Sequence, residues 1–144
     1  MKFCRHAQSY ENIGVSRIDS PLTDYGVEQA KLLTGNYDCV IVSPLRRAIE
    51  TLHYSNITYK KLYILENFRE RQFNNESNQK LLEKIVNETD QEFFARVETF
   101  NTELENIKKE HNSILLIGHS YFYNCWWRKG CYPSPPNAQI INML

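Results

Sequence analysis

Short apolar runs that alternate with helix-like segments restrict the fold of this chain more than any other feature of its sequence. Residues 37–42 and 113–118 each contain four consecutive apolar side chains with β-branched members, which is typical of strands buried on both faces of a sheet. Further strands are expected at residues 1–4, 62–65 and 138–143. Because strands and helices alternate, we predict an α/β fold of three layers, with a mostly parallel central sheet and helices on both faces.

Residues that favour helix ends mark the first two predicted helices. Thr23 has the side chain of an N-cap, and the helix that follows it is expected to end at Gly35. Pro44 is expected in the first turn of a second helix, because the missing N–H and fixed φ of proline are tolerated there.

Helical spacing is clearest in the second half of the chain. After the asparagine-rich residues 74–78 we expect one further helical segment and then a long helix over residues 90–110. Apolar side chains recur in the long helix every three or four positions, which predicts one buried face: Phe93, Val97, Phe100, Leu104 and Ile107. The aromatic-rich residues 121–127 are expected to form the last helix.

Composition and charge are those of one folded domain. The chain has 144 residues, 42% of them hydrophobic, so we expect a single domain over residues 1–144. Seventeen Lys and Arg balance seventeen Asp and Glu, which argues against nucleic acid or a membrane as a partner but permits a local positive pocket. The sequence has no apolar run as long as a membrane span and no resemblance to a signal peptide at its start. We therefore expect a soluble, cytoplasmic protein with reduced cysteines.

Charged and polar side chains follow the predicted strands at the points where they end. They are Arg5 and His6 after the first strand, Ser43, Arg46 and Arg47 after the second, Glu66 and Glu70 after the third, and His119 and Ser120 after the fourth. Because the carboxyl ends of parallel strands meet at one edge of a sheet, we expect most of these groups to converge, with Arg46 pointing into solvent. Arginine binds phosphate oxygens, imidazole can attack phosphorus, and a carboxylic acid can protonate a leaving oxygen. The set indicates phosphoryl transfer.

Five motifs, in the same order along the chain, resemble the histidine phosphatase (phosphoglycerate-mutase-like) superfamily, and in particular its small phosphatases. Residues 5–12, RHAQSYEN, are similar to the signature R-H-G-E/Q-S-x-x-N. Residues 19–30 resemble D-x-P-L-T-x-x-G-x-x-Q-A, and residues 43–51 resemble S-P-L-x-R-A-x-x-T. Residues 117–120 stand where the family has its second histidine, and residues 137–140 resemble the opening of its final strand.

The resemblance implies a role for each matching residue. His6 would be the nucleophile that becomes phosphorylated, and Arg5 and Arg47 would hold the phosphate. His119 would contact the phosphate opposite His6 and stabilise charge in the transition state, and Asn12 would line the pocket.

The resemblance also implies a general acid. Residues 68–73, FRERQF, are similar to the family's L-R-E-x-x-F, which makes Glu70 the expected acid. Glu66 is the alternative, because it directly follows the third predicted strand.

The implied activity is that of a metal-independent phosphatase with a phosphohistidine intermediate on His6. No metal or other cofactor is expected, because arginine and imidazole supply the charge stabilisation. The substrate would be a phosphorylated small molecule or a phosphoprotein, and the protein would be a monomer or homodimer.

Three other functions remain open at the level of sequence. One is phosphoglycerate-mutase-type phosphotransfer, in which the phosphoryl group returns to another hydroxyl of the ligand. A second is a non-catalytic phosphate-binding or interaction module, because Ala7 and Ser120 stand where the family usually has glycine. The third is a scaffold with an exposed aromatic face near Trp126 and Trp127.

Overall fold

Five strands form one sheet in the order β3-β2-β4-β1-β5. The structure, a computed structural model, describes residues 1–15, 17, 19–71 and 88–143. Strands β1 to β4 are parallel, and β5 pairs antiparallel with β1. The strand bounds are Lys2–Arg5 (β1), Thr34–Val42 (β2), Asn56–Ile64 (β3), Ile114–Gly118 (β4) and Ile140–Asn142 (β5). The predicted mostly parallel sheet is confirmed.

Four α-helices connect or flank these strands in the described part of the chain. Their bounds are Asp24–Lys31 (α1), Arg46–Tyr54 (α2), Asp90–Lys108 (α3) and Ser120–Tyr123 (α4), and α4 continues as a π-helical turn over Asn124–Arg128. Thr23 caps α1 as predicted, because its side chain accepts a hydrogen bond from the N–H of Gly26 at 3.0 Å. The further helical segment expected after residues 74–78 falls within residues 72–87, outside the described part of the chain.

The core has two halves, one on each face of the sheet. Alternate residues of the strands face opposite ways, so Ile41 and Leu116 pack on the face that carries α3, whereas Val40 and Leu115 pack on the face that carries α2. The five predicted apolar positions of α3 are all buried: Phe93, Val97, Phe100, Leu104 and Ile107. Helix α1 packs beside α2. The arrangement confirms the predicted three layers.

The predicted end of the first helix is wrong. Helix α1 ends at Lys31, and Gly35 is the second residue of β2. Its φ of 142° lies in the region that favours glycine, so the glycine allows the strand backbone to adopt an unusual conformation at this position.

The predicted start of the second helix is also two residues too early. The N-cap is Leu45, and α2 begins at Arg46, whose N–H donates to the carboxylate of Asp19 at 2.9 Å. Asp19, which is distant in sequence, thus accepts a hydrogen bond from a backbone N–H that has no partner within the helix. Pro44 lies before the first residue of α2.

Trp126 is buried, and its indole N–H donates to the side chain of Asn101 at 3.1 Å. The exposed aromatic face considered near Trp126 and Trp127 is therefore wrong at Trp126, which belongs to the core. No helix among the described residues is long and apolar enough to cross a membrane.

Candidate active site

The carboxyl ends of β1, β2 and β4 lie side by side. Arg5 pairs with Gly118, and the N–H of His6 donates to the carbonyl oxygen of Gly118 at 3.0 Å. The N–H of Ser43 donates to the carbonyl oxygen of Ile117 at 3.1 Å. This register brings the residues that follow three different strands to one edge of the sheet, as expected for open α/β sheets.

The imidazoles of His6 and His119 lie together at this edge. Their ring centroids are 5.3 Å apart, and the rings are tilted by 54°. Both side chains are buried, with 4% of His6 and none of His119 exposed.

His6 has one ring nitrogen fixed by the backbone. Its Nδ1 lies 2.7 Å from the carbonyl oxygen of Ala7, and because a carbonyl only accepts, the hydrogen is on Nδ1. Nε2 of the neutral ring then keeps its lone pair. Burial lowers the pKa of His6 well below its ordinary value, and the charges of Arg47 and Arg5 lower it further, against the opposing effect of the Ala7 carbonyl.

His119 is held by a hydroxyl group. Its Nε2 lies 2.7 Å from Oγ of Ser43, and Oγ also accepts a hydrogen bond from the N–H of Leu45 at 3.2 Å. The Ser43 hydroxyl can donate its own hydrogen to Nε2, an arrangement in which the ring hydrogen of a neutral His119 is on Nδ1. Nδ1 is buried and has no hydrogen-bond partner among the described residues. Burial lowers the pKa of His119, followed by the charges of Arg47 and of His6.

Arg47 is the central cation of the site. Only 5% of it is exposed, and its charge acts on the pKa of His6, His119 and Glu70. Its Nη1 lies 3.5 Å from the carboxylate of Glu11 and makes no hydrogen bond to the described residues.

Arg5 lies close to the same groups. Its Nη1 donates to the carbonyl oxygen of Pro135 at 3.2 Å, whereas its buried Nε has no partner among the described residues. Burial lowers the pKa of Arg5 and the charge of Glu70 raises it. Arg46 is exposed and pairs with Glu50 on the surface of α2, as expected.

The two candidate acids have different surroundings. Glu70 is half-buried, and its carboxylate accepts hydrogen bonds from the N–H groups of Phe122 at 2.8 Å and of Arg71 and Tyr121 at 3.1 Å. Burial raises its pKa above the ordinary value, although these N–H groups and the charge of Arg47 oppose the shift. The side chain of Glu66 is 63% exposed and lies 3.9 Å from the guanidinium of Arg69.

Asn12 stabilises a turn beside the site. Its Oδ1 accepts hydrogen bonds from the backbone N–H of Ser9 at 2.9 Å and from Nδ2 of Asn137 at 3.3 Å. Asn137 also donates to the carbonyl oxygen of His6 at 2.8 Å. Asn12 is exposed and is connected to His6 through Asn137.

Sequence reasoning gave no role to Thr51 or to the hydroxyl of Ser43. Oγ1 of Thr51 accepts a hydrogen bond from the N–H of Ala7 at 2.8 Å and donates to the carbonyl oxygen of Arg47 at 2.7 Å. Thr51 thus joins the loop of the nucleophile candidate to the helix that carries Arg47. Both hydroxyl residues stand in the third motif, which was the available signal.

Ala7 and Ser120, which stand where the family usually has glycine, cause no backbone strain. Neither Ala7 nor Ser120 has a positive φ, so a Cβ is accommodated at both positions.

Among the described residues, no three or more His, Cys, Asp and Glu side chains are grouped so that they could hold a metal ion. The polar groups that converge are two imidazoles, two guanidinium groups and one carboxyl group of raised pKa, a set suited to an oxyanion.

Comparisons with solved structures show where this fold recurs. The alpha-ribazole phosphatase from Shigella flexneri is 20% identical with a TM-score of 0.64, and the alignment covers 85% of this chain and 75% of that chain. The phosphoglycerate mutase from Thermus thermophilus is 17% identical with a TM-score of 0.64, covering 96% of this chain and 89% of that chain. A mycobacterial glucosyl-3-phosphoglycerate phosphatase is 16% identical with a TM-score of 0.63, covering 97% and 88% in the same order. These likenesses establish a phosphoglycerate-mutase-like fold.

The sequence itself was also compared with known proteins. A search of curated proteins found no match. The family model of the histidine phosphatase superfamily (branch 1) matches residues 1–83, which is more than half of the chain and includes five of the candidate residues: Arg5, His6, Asn12, Arg47 and Glu70. On this match, and with the fold in agreement, the chain belongs to the histidine phosphatase superfamily.

Proposed function

We propose that this protein is a metal-independent phosphatase that hydrolyses phosphomonoesters through a phosphohistidine on His6. The observation that carries the proposal is the hydrogen bond from Nδ1 of His6 to the carbonyl oxygen of Ala7. It leaves Nε2 unprotonated in a buried site that also contains His119 and Arg47.

In the first step Nε2 of His6 attacks phosphorus. The bond from phosphorus to the ester oxygen breaks, and its electron pair stays on that oxygen, which takes a proton from Glu70. Arg5 and Arg47 bind the equatorial oxygens and neutralise the phosphate dianion that would otherwise repel the nucleophile. His119 donates from Nδ1 to a phosphoryl oxygen, a role supported by the lack of a partner for that atom among the described residues.

In the second step water replaces the histidine. The carboxylate of Glu70 takes a proton from water as the water oxygen attacks phosphorus, and the electron pair of the phosphorus–nitrogen bond returns to Nε2 of His6. The hydrogen bond from Nδ1 to Ala7 stabilises the positive charge that the phosphorylated ring carries between the steps. The raised pKa of Glu70 supports its role as the acid, because the proton is retained at a higher pH.

The test is turnover of para-nitrophenyl phosphate by the wild type and the His6→Ala variant, each with and without EDTA. EDTA-resistant turnover that the His6→Ala change abolishes supports the proposal, as does an acid-labile phosphoenzyme trapped in the wild type only. Binding of phosphate or vanadate by a wild type that has no turnover would instead support the non-catalytic module. Loss of a natural ester without release of inorganic phosphate would indicate mutase chemistry.

The assignment of the acid has a matched pair of variants. Glu70→Gln is expected to lower kcat for phenyl phosphate by about 10²–10⁴-fold, the usual contribution of a positioned acid. Glu66→Gln is expected to change kcat by less than about twofold, because its carboxylate is exposed. The reverse result would assign the acid to Glu66.

A further inference from the structure

A cavity of about 570 Å³ is lined by residues of α4 and of the segment that follows it, together with Phe94 of α3. Its wall includes Ser120, which directly follows His119, and Tyr121, whose N–H donates to the carboxylate of Glu70 at 3.1 Å. One short segment therefore borders both the candidate active site and the cavity. The volume is within the range of pockets that hold small organic ligands.

Three of the ten described residues that line this cavity are aromatic. Phe94, Tyr121 and Tyr132 each contribute a ring, and each ring is between about a third and a half exposed. Lys129 is the one charged residue among the described residues of the wall. Exposed aromatic rings that face a common cavity favour a flat apolar group, which stacks on them and is removed from water.

The position of Glu70 links the cavity to the substrate. The ester oxygen that leaves phosphorus must lie within hydrogen-bond distance of the acid that protonates it. Whatever group is attached to that oxygen extends away from phosphorus and past Glu70. Tyr121, one of the residues that hold the Glu70 carboxylate, is part of the cavity wall.

We propose that this cavity binds an aromatic leaving group, so that the substrate is a small phosphomonoester carrying an aromatic ring near the ester oxygen. The inference rests on the proposed phosphatase activity and restricts the range of its substrates. A phosphorylated protein side chain would present no such ring unless the residue were tyrosine, and a sugar phosphate would leave the apolar wall in contact with polar hydroxyl groups.

The test compares phenyl phosphate with glycerol phosphate. Phe94→Ala and Tyr132→Ala are each expected to lower kcat/KM for phenyl phosphate by about 3- to 10-fold, the contribution of one aromatic contact. The same variants are expected to leave kcat/KM for glycerol phosphate and inhibition by inorganic phosphate within about twofold. Tyr59→Ala is the matched control, since Tyr59 is an exposed tyrosine on β3 that is not part of the cavity wall.

The outcomes separate this proposal from the one on which it rests. Equal losses for the two esters, or no loss for either, would overturn the aromatic site while leaving the phosphatase activity in place. A wild type that hydrolyses neither ester would overturn the proposed function itself.

A second observation, independent of the cavity, concerns the buried ion pair of Arg96 and Glu88, which contacts the backbone of Glu70. Arg96 of α3 donates to both carboxylate oxygens of Glu88, at 2.7 and 2.8 Å. Its Nη1 also donates to the carbonyl oxygens of Asn67 and Arg69, both at 2.8 Å, and its Nη2 lies 3.4 Å from the carbonyl oxygen of Glu70. Arg96 and Glu88 are both buried.

We infer that Arg96 is a positioning residue for Glu70. A guanidinium that donates to three backbone carbonyl groups within residues 67–70 fixes the segment from which the Glu70 side chain projects, and the bidentate pair with Glu88 fixes the guanidinium. Lysine in place of Arg96 retains the charge and loses the fork.

Leaving-group dependence distinguishes positioning from a purely structural role. Arg96→Lys is expected to lower kcat for phenyl phosphate at least about 10-fold more than for para-nitrophenyl phosphate, because a good leaving group needs less protonation. Added to Glu70→Gln, it is expected to cause little further loss, since the two residues act as a unit. Equal losses for the two esters, or additive losses, would overturn the inference.

Glu88→Gln provides a second variant if Arg96→Lys is too unstable to assay. It retains the shape and a hydrogen-bond acceptor but removes the charge that holds Arg96. The same leaving-group pattern is expected, at a smaller size. A lower melting temperature with an unchanged ratio of kcat between the two esters would show a structural role only.

Discussion

The hydroxyl oxygen of Ser43 lies 2.7 Å from Nε2 of His119, across 76 residues of sequence. Ser43 directly follows β2 and His119 directly follows β4, and these strands are neighbours in the sheet. The contact orients a buried imidazole whose other nitrogen has no partner among the described residues, and in the proposed mechanism that nitrogen donates to the phosphate.

Ser43→Ala is expected to lower kcat because it removes this constraint. Without the hydroxyl, Nε2 can carry the ring hydrogen, and Nδ1 then no longer donates. The loss of a buried hydrogen bond of about 1–3 kcal/mol corresponds to about a 5- to 150-fold fall in kcat. Steady-state kinetics with para-nitrophenyl phosphate measures it.

Ser55→Ala is the control for that measurement. Its hydroxyl donates to the carbonyl oxygen of Leu52 at the end of α2, so it loses a comparable hydrogen bond outside the candidate site. It is expected to keep kcat within about twofold. Similar losses in both variants would contradict a special role for Ser43.

The pH dependence of kcat is expected to follow Glu70 on the alkaline side. The pKa of Glu70 is raised, and the proposed acid acts in its protonated form, so activity is expected below this pKa and is expected to be lost as pH rises through it. The pKa of His6, the proposed nucleophile, lies well below 6.5, so no loss of activity from its protonation is expected near that pH. A pH series of kcat in wild type measures both.

Glu70→Gln tests the origin of the alkaline loss. Glutamine does not titrate, so the residual activity of the variant is expected to lack that limb. An alkaline limb of the same shape in wild type and variant would assign it to another group, such as the substrate.

Stability is expected to fall as pH decreases below about 6.5, the ordinary pKa of histidine. The lowered pKa of His6 in the folded state means that the unfolded chain binds its proton first, so protons favour unfolding in this range. The contribution is at most about 1.4 kcal/mol per pH unit for one histidine. Urea unfolding at a series of pH values gives the free energy of unfolding.

His6→Gln isolates this contribution, because titration of every other group is shared with the wild type to a first approximation. The difference in unfolding free energy between the two proteins is expected to shift in favour of the variant as pH decreases below about 6.5. His53→Gln, on the exposed surface of α2, controls for the loss of a histidine outside the candidate site. Parallel curves for His6→Gln and wild type would refute the prediction.

Gly26→Ala is expected to destabilise the fold, although alanine normally stabilises a helix by about 1 kcal/mol relative to glycine. A Cβ on Gly26 of α1 would overlap the backbone carbonyl oxygen of Gln8, which follows the loop of His6. Displacing this backbone is expected to cost about 1–3 kcal/mol, measured by urea unfolding.

Gly14→Asn controls for the general loss of a glycine. A Cβ at Gly14 has nothing within 4 Å, and asparagine tolerates its φ of 79°. The variant is expected to unfold close to the wild-type free energy. If Gly26→Ala proved as stable as wild type, the close approach of α1 to Gln8 would be wrong.

The sequence by itself determined the class of fold and the candidate residues of the site. Runs such as residues 39–42 of β2 and the spacing of Phe93, Val97 and Phe100 in α3 are local patterns, and local patterns depend on backbone periodicity alone. The placement of candidate residues directly after strands also follows from local pattern together with the rule for parallel sheets. The position of Gly35 in β2 does not follow from local sequence, because glycine is favoured both at helix ends and in unusual strand conformations.

Only the tertiary structure decided which of these residues meet, and through which atoms. The Ser43–His119 contact and the hydrogen bonds from Arg96 to the backbone of residues 67–70 require the strand order and the packing of α3, which depend on burying apolar surface across the whole chain. The exposed Glu66 and the half-buried Glu70 are four residues apart in sequence and differ in environment for the same reason. The sequence gives the identity of each side chain directly, whereas its burial and its hydrogen-bond partners depend on elements that are distant in sequence.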